Sequence, residues 1–338
     1  MRKIAMKKIL VPGGTGAMGV YLVPILLDMG YKVDVISLIE KQPDHPNVRY
    51  IKDNCLDINV MKEYLKNDYD AVVDFMIYRE SRNAHEPYID MYLENTSHYI
   101  YFSTYRVYAN EEHPIKETSP RLLDASRDER LLESKDYCIH KAIGENYLKN
   151  SGKTNWTIVR PAITFSKMRF QLVTMEFNLV VRSMLEGTTL LLPKEALNVQ
   201  ATMSWAGDVA KMISRIVLND KAMGETYSLC TAEHNTWGEV AEMYKRIGGL
   251  KYLAVDKETY LNVLFNGSIG SRWQLEYDRL FDRIMDNTKI LDLCGMKQSE
   301  LMPLEEGLKY EFSQFPRDFK WDPSPTYDRV QKYFEDLK

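Results

Sequence analysis

The stretch that most restricts this chain is Lys8 to Gly19, KILVPGGTGAMG, where a short apolar run breaks into glycines at 13, 14, 16 and 19. It then resumes as Val20-Tyr21-Leu22-Val23, with Pro24 near the start of the continuation. An apolar run that stops in glycines and restarts in this way reads as a buried strand, a tight turn and a helix start. Such a turn suits phosphate. Gly13 and Gly16 permit positive φ and close backbone approach, Gly19 lets the helix lie against its strand, and free N–H groups at the helix N-terminus face an anion.

Length and composition bound the rest. At 338 residues the chain exceeds one average domain, and 45% hydrophobic with 27% charged residues is an ordinary globular mixture, so one large α/β unit plus a smaller lobe is expected. A net charge of −4 and a pI near 6.0 give no electrostatic footprint for nucleic acid or an anionic membrane surface. Cys55, Cys138, Cys230 and Cys294 are too scattered for a CxxC pair and too few for a disulfide scaffold, which predicts reduced thiols in a cytoplasmic protein. The basic start MRKIAMKKIL imitates a signal peptide, but its apolar run ends at Pro12. No segment approaches the ~20 apolar residues of a membrane span. The six histidines include no HExxH or HxH spacing, so no catalytic metal is expected.

Taken in order, Gly30 to Ser37 reads as a second strand whose last residue stands where dinucleotide folds contact the adenosine ribose. Ser37 is neither the carboxylate that favours NAD nor the arginine that favours NADP, and although Lys41 is near, both cofactors stay open. Val48 to Ile51 is a third strand, followed by Lys52-Asp53-Asn54-Cys55. The fourth, Ala71 to Ile77, carries Phe75 and Met76 along the nicotinamide half of the cleft. Beyond it, Tyr78, Arg79 and Arg82 lie where a substrate phosphate or carboxylate could be gripped. Tyr99 to Thr104 is a β-rich run ending in the hydroxyls of Ser103 and Thr104. Asp136 to Glu145 reads as a helix carrying Tyr137 and Lys141 at i, i+4, which puts phenol and ammonium on one face. A free tyrosine has a pKa of about 10 and is a poor base at neutral pH, and a nearby cation favours its phenolate.

The glycine turn, Ser103-Thr104 ahead of Val107-Tyr108, Tyr137-x-x-x-Lys141 and Arg160-Pro161 occur in that order. Together they resemble the extended branch of the short-chain dehydrogenase/reductase superfamily, the NAD-dependent epimerase/dehydratase family with its nucleotide-sugar epimerases. Met203 to Ala210, in which Asp208 would cap a helix, and the closing Leu304-Glu305-Glu306-Gly307-Leu308 extend the likeness to nearly the whole chain. The resemblance implies a Rossmann-type doubly wound parallel sheet and a smaller mixed α/β C-terminal lobe that binds substrate. Residues 1–165 would form the cofactor domain, with 200–232 returning to it, and 166–199 with 233–338 the substrate lobe.

It also implies roles. Thr104, Tyr137 and Lys141 become the catalytic candidates. The cofactor would lie on Gly13, Thr15, Gly16, Ala17, Met18 and Gly19 at the turn, and on Ser37, Asn54 and Cys55 at the adenosine end. Phe75, Met76, Ser103, Lys141, Pro161 and Ile163 would line the nicotinamide end. Tyr78, Arg79, Arg82, Tyr105, Arg169, Gln171 and Arg272 would meet the substrate, with Arg279 and Arg283 as further candidates. The implied chemistry is reversible hydride transfer at a secondary alcohol of a nucleotide-linked sugar, in a homodimer that binds neither nucleic acid nor membrane. The departures also matter. Tyr105-Arg106 follow Thr104 where a 4,6-dehydratase has acidic residues, and Ala162-Ile163-Thr164 follow Arg160-Pro161 where many 4-epimerases have an asparagine. Epimerase and ketoreductase, the latter on a sugar or another small substrate, therefore both stay open. From another class, a non-catalytic dinucleotide-binding regulator or RNA-associated protein is the alternative, and retention of Tyr137 and Lys141 weighs against it.

Overall fold

The structure, a computed structural model, describes residues 6–78, 85–134 and 136–338. Seven short apolar runs form the strands β1 (Lys8–Pro12), β2 (Lys32–Ser37), β3 (Val48–Lys52), β4 (Ala71–Asp74), β5 (His98–Phe102), β6 (Trp156–Pro161) and β7 (Glu225–Leu229). They make one parallel sheet in the order β7-β6-β5-β4-β1-β2-β3. The order reverses between β1 and β4, the switch point at which parallel α/β sheets hold ligands. Because all seven strands run one way, the loops after β1, β4, β5 and β6 meet at a single edge.

Alternation along the strands sorts side chains onto two covered faces. Ile9, Val11, Val33, Val35, Val73 and Ile100 pack with Leu22, Leu26, Val209 and Ile213 from helices Gly19–Asp28 and Ala206–Ile216. Leu10, Ile36, Val72, Tyr99, Tyr101 and Ile158 pack on the opposite face, with Ile89 and Tyr92 of helix Glu86–Asn95 and Leu148 of helix Tyr137–Lys149. Full burial of each aliphatic side chain stabilises by roughly 1.5–3 kcal/mol. Covering both faces is therefore what holds the sheet edge rigid under the loops.

β4 is shorter than its apolar run, which continues to Ile77. The Asp74 carboxylate accepts the Met76 N–H at 3.0 Å and Phe75 N–H turns to the Pro12 carbonyl at 3.1 Å. The Phe75 bond is the last contact with β1, and the turn on Asp74 ends the strand with Phe75 and Met76 beside Gly13 of the glycine turn.

Beyond β6 the chain builds smaller pairs. Ile163–Phe165 runs parallel with Met203–Trp205, and Thr189–Pro193 parallel with Lys251–Val255. Gln200–Ala201 pairs antiparallel with Asn235–Thr236. Their shared core includes Phe165, Phe170, Leu191, Trp237, Tyr244 and Phe312. After Arg317 the chain packs Phe319 and Trp321 on Phe315 and Phe177, then forms helix Pro325–Asp336. Ser324 caps that helix and Pro325 opens it.

Asp208 does not cap its helix as expected. Trp205 occupies the N-cap position, and Asp208 lies fully buried in the first turn. Its carboxylate accepts the Met302 N–H at 2.6 Å and pairs with Lys211 at 2.9 Å, fastening the closing segment to helix Ala206–Ile216. All four cysteines are free, and among the described residues no helix is long and apolar enough to cross a membrane.

Candidate active site

The glycine turn is built as its sequence requires at two positions. Gly13 has φ +74 and donates its N–H to the Ile36 carbonyl at 2.8 Å, and a Cβ on Gly19 would stand 2.2 Å from the Gly14 carbonyl oxygen. Gly16 differs from expectation. It is not among the positive-φ glycines, and a Cβ there would meet only the Gly13 oxygen, at 3.5 Å. What Gly16 supplies is open space beside the turn. Gly14, outside the expected triplet, is the closely packed one, because a Cβ would reach within 2.7 Å of Val11 Cγ1. Thr15, Gly16, Ala17 and Met18 form the accessible rim ahead of helix Gly19–Asp28.

At the adenosine end, the Ser37 hydroxyl closes a turn on the Ile39 backbone, accepting its N–H at 3.2 Å and donating to its carbonyl at 3.0 Å. Lys41 is engaged by Asp44 at 3.2 Å and by the Tyr50 hydroxyl at 2.7 Å. Asn54 accepts the Leu56 N–H at 3.0 Å. Cys55 Sγ donates to the Ile36 carbonyl at 3.3 Å, and burial pushes its thiol up to about 12.

Beyond the ends of β4, β5 and β6 lies a cleft of about 370 Å³. Met18, Phe75 and Met76 line one side, Ser103, Thr104 and Tyr105 the floor, and Pro161 with Ile163 another wall. Tyr137 and Lys141 enter it from helix Tyr137–Lys149, whose N-cap Asp136 accepts the Cys138 N–H. Thr104 is buried, and its Oγ1 accepts the Arg106 N–H at 3.2 Å. The Ser103 hydroxyl, also buried, leans toward Glu145 without reaching hydrogen-bond geometry.

Electrostatics in the cleft differ from the sequence expectation. Burial raises the Tyr137 phenol above its usual range, and Arg106, Arg169 and Thr104 act in the opposite direction. The Arg106 guanidinium lies 5.5 Å from the Tyr137 ring centroid. Lys141, expected to tune the phenol, turns elsewhere. Its Nζ donates to the Met76 carbonyl at 3.4 Å and lies 5.1 Å from the Tyr101 ring centroid. Burial drives its ammonium down to about 8 against the pull of Asp74 and Glu145. Asp74 in turn is pushed up to about 6 by burial, opposed by the Met76 N–H, by Lys141 and by the hydroxyls of Tyr99 and Tyr78.

Arg160, the strand-six arginine, is fully buried and fixes the helix. Its Nε and Nη2 donate to Glu145 at 2.8 and 2.6 Å, and Nη1 donates to the Glu117 carbonyl at 3.0 Å. Sequence reading missed Asp74, Arg106 and Glu145. A carboxylate closing the apolar run AVVD, and an arginine two residues beyond Thr104, were the available signals.

The substrate candidates divide. Tyr105, Arg169 and Gln171 line the cleft with Arg279. Tyr105 donates to Asp278 at 2.9 Å, and Gln171 is bonded to Glu176. Tyr78 turns into the core, stacked on Tyr88 at 4.2 Å with its hydroxyl on Asp74. Its flat apolar ring gains more from that burial than from exposure at the sheet edge. Arg272 is also outside the cleft, held by Glu258 at 2.6 Å and Glu276 at 2.9 Å. Arg283 is buried against Asp278. Arg79 and Arg82 lie outside the described residues. The His140 ring lies against His85, centroids 3.8 Å apart and planes tilted by 31°, as a packing histidine would.

A parallel sheet with its switch point at β1 and β4, a glycine turn opening a helix and a cleft holding threonine, tyrosine and lysine define a Rossmann-type dinucleotide-binding protein. Residues 9–230 match the model of the NAD dependent epimerase/dehydratase family, and the chain belongs to that family, whose cofactor is a nicotinamide dinucleotide. In sequence it is 24% identical over 258 residues to the chloroplast stem-loop binding protein of 41 kDa b of Arabidopsis thaliana, a match spanning 72% of this chain and 64% of that protein. In structure it is similar to a Burkholderia cenocepacia J2315 protein provisionally described as an epimerase, with TM-score 0.69, 18% identity and coverage of 91% and 97% of the two chains. The Bordetella bronchiseptica enzyme WbmH, in complex with NAD+, gives 0.67, 17%, 90% and 96%. The UDP-glucuronic acid 4-epimerase of Bacillus cereus, in complex with UDP-glucuronic acid and NAD, gives 0.66, 18%, 90% and 98%.

Proposed function

We propose that this chain uses NAD or NADP to oxidise a hydroxyl, or reduce a ketone, of a nucleotide-linked sugar, and acts as an epimerase when the sugar leaves with that centre inverted. The convergence of Thr104, Tyr137 and Lys141 on one cleft beside the glycine turn carries this reading. The residues fit the cofactor. Open space at Gly16 and the N-terminus of helix Gly19–Asp28 suit a diphosphate, and Met18, Phe75, Met76 and Ile163 suit the flat nicotinamide end. When bound, the nicotinamide accepts or supplies the hydride.

The chain's own groups handle the proton and the charge. Tyr137 takes the proton from the sugar hydroxyl, work typically worth about 10²–10⁴-fold in rate. Thr104 donates to the oxygen as negative charge develops there, worth roughly 10²–10³-fold for a well-aimed donor. Lys141, buried on the Met76 side, holds the cofactor ribose. Arg169 and Gln171 orient the substrate, while Tyr105 shapes the floor. With Tyr105-Arg106 after Thr104, the acid–base pair that elimination needs is absent from that position, which favours epimerisation or reduction over dehydration.

The test is a panel of nucleotide sugars offered with NAD or NADP, read by nicotinamide absorbance and by product stereochemistry. Turnover of at least one sugar is expected. Tight cofactor binding with no turnover of any sugar would overturn the reading and favour a second one. That second reading, an RNA-associated scaffold, is favoured by the likeness to the plant stem-loop binding protein. It predicts retention of a stem-loop RNA in a gel shift with a steep salt dependence.

A further inference from the structure

We infer that Val173 and Arg279 form a backbone latch that aims two oxygen acceptors, on Gln171 and Glu176, at neighbouring hydroxyls of the sugar. That aim rests on the reading of the cleft as a sugar site. Val173 and Arg279 act through the turn that carries the two acceptors and are positioning residues.

Val173 is fully buried and has φ +53. Glycine and asparagine tolerate that region, but for a β-branched side chain it is a costly outlier that lasts only where the surroundings enforce it. Among the described residues Val173 is the one β-branched side chain with positive φ. Leu172 and Met175 exchange backbone hydrogen bonds of 3.1 and 3.0 Å, which closes a tight turn with Val173 and Thr174 at its tip. The Val173 side chain is sunk in the core of the smaller lobe. Its carbonyl accepts the Arg279 Nε–H at 2.6 Å. Arg279 is fixed in turn, because its Nη1 donates to Asp278 and to the Tyr105 hydroxyl. The flanks are tied as well. The Tyr244 hydroxyl donates to the Gln171 carbonyl at 3.1 Å, and Thr174 Oγ1 meets the Tyr260 hydroxyl at 2.8 Å.

Gln171 and Glu176 stand at the two ends of this turn, and both line the cleft with Arg279. Their side chains are bonded to each other. A carboxylate only accepts, so the Gln171 amide nitrogen must face Glu176, and its amide oxygen points the other way. Among the described residues neither that oxygen nor the second Glu176 oxygen has a protein partner. Two acceptors side by side match two neighbouring O–H donors, the pattern a sugar ring presents. Behind them, Phe319 and Trp321 each lie 6.1 Å from the ring of Phe177, the residue after Glu176. A turn held from so many sides loses little freedom when the sugar binds, and backbone strain at Val173 is what that pre-organisation costs.

The experiment is calorimetric titration of the NAD-loaded protein with UDP-glucose, UDP-galactose and UDP-glucuronic acid, followed through on whichever binds best. Glu176→Ala should weaken that sugar at least about tenfold, and Glu176→Gln, which keeps an acceptor, should recover most of the loss. Val173→Gly frees the turn, and Arg279→Lys keeps the charge but has no Nε–H for the valine carbonyl. Each should weaken the sugar about tenfold, with the dissociation constant for NAD moving by less than about threefold. Because both act on one latch, the double variant should be no more than about threefold worse than either single. A loss near one-hundredfold in the double variant, or none in a folded Val173→Gly, would overturn the inference. If Val173→Gly does not fold, Val173→Asn takes its place, since asparagine also accepts the left-handed region. Amide exchange at Leu172 and Met175 separates this inference from the reaction. A parent that binds none of the three sugars, with those amides at least about tenfold faster in both single variants, would sink the sugar reading and leave the latch standing. Unchanged exchange would remove the latch whatever binds.

Discussion

Arg160 and Glu145 meet in two charge-assisted hydrogen bonds of 2.8 and 2.6 Å, both side chains sealed from solvent, and the pair locks β6 to the helix that carries Tyr137 and Lys141. Burial pushes the Glu145 carboxyl up, but Arg160 with Arg121 holds it below its ordinary value. Removing Arg160 strips the buried Glu145 of its two-point partner and leaves only Arg121, at 3.0 Å, to face it. Arg160→Met is expected to cost about 3–5 kcal/mol of unfolding free energy in urea melts. The double variant Arg160→Met with Glu145→Leu should recover much of that loss. Equal destabilisation by the single and double variants would show that the pair is not what matters.

Replacing the phenol tests the chemistry directly. Tyr137→Phe keeps the ring and removes only the hydroxyl. Turnover on the best sugar should fall by about 10²–10⁴-fold, while the dissociation constant for the cofactor changes by less than about threefold. Full activity in this variant would remove Tyr137 from the mechanism.

Two glycines three residues apart should respond in opposite ways. A Cβ at Gly19 would collide with the Gly14 carbonyl at 2.2 Å, whereas one at Gly16 meets nothing closer than 3.5 Å. Gly19→Ala is therefore expected to lower the melting temperature and weaken cofactor binding together. Gly16→Ala should melt like the parent and bind NAD or NADP at least about tenfold more weakly in a fluorescence titration, because the methyl fills the space meant for the ligand.

The buried Asp74 and Lys141 predict a particular pH dependence of stability. Asp74 is raised to about 6, so its contribution is complete below the usual carboxylate range and is lost as pH rises through about 6. Lys141 is lowered to about 8, so its contribution is present above the ordinary lysine value of about 10.4 and is lost as pH falls through about 8. Unfolding free energy measured against Asp74→Asn should thus decline between about pH 4 and 6. Measured against Lys141→Met it should climb by roughly 1–3 kcal/mol between about pH 8 and 10. Parallel curves in either comparison would mean that the group concerned titrates normally.

Arg169 and Arg272 both follow β6 in the chain, and only Arg169 faces the cleft. Arg272→Ala, which removes contacts to Glu258 and Glu276, should leave KM for the sugar within about twofold. Arg169→Ala should raise it at least about tenfold if the substrate carries a diphosphate. The reverse ranking in steady-state kinetics would relocate the substrate subsite.

What could be read from residues in order was whatever a single element or loop settles by itself. The glycine turn, the hydroxyls closing β5 and the Tyr137–Lys141 turn of helix are each local, and their succession along the chain determined the family and the parallel sheet. The charges were another matter. A shared helix face assigns Lys141 to the phenol, yet packing turns its Nζ to the Met76 carbonyl near Asp74 and brings Arg106 to the ring. Tyr105 and Asp278 are 173 residues apart in sequence and 2.9 Å apart in space. Tyr78 and Arg272, substrate candidates by their place in the chain, are a core ring and an ion-paired side chain outside the cleft. Spacing along a chain reports local geometry, whereas burial and Coulomb energy depend on distances through space, and only the tertiary packing of the Asp278 segment against the Thr104 turn and the Tyr137 helix decided those.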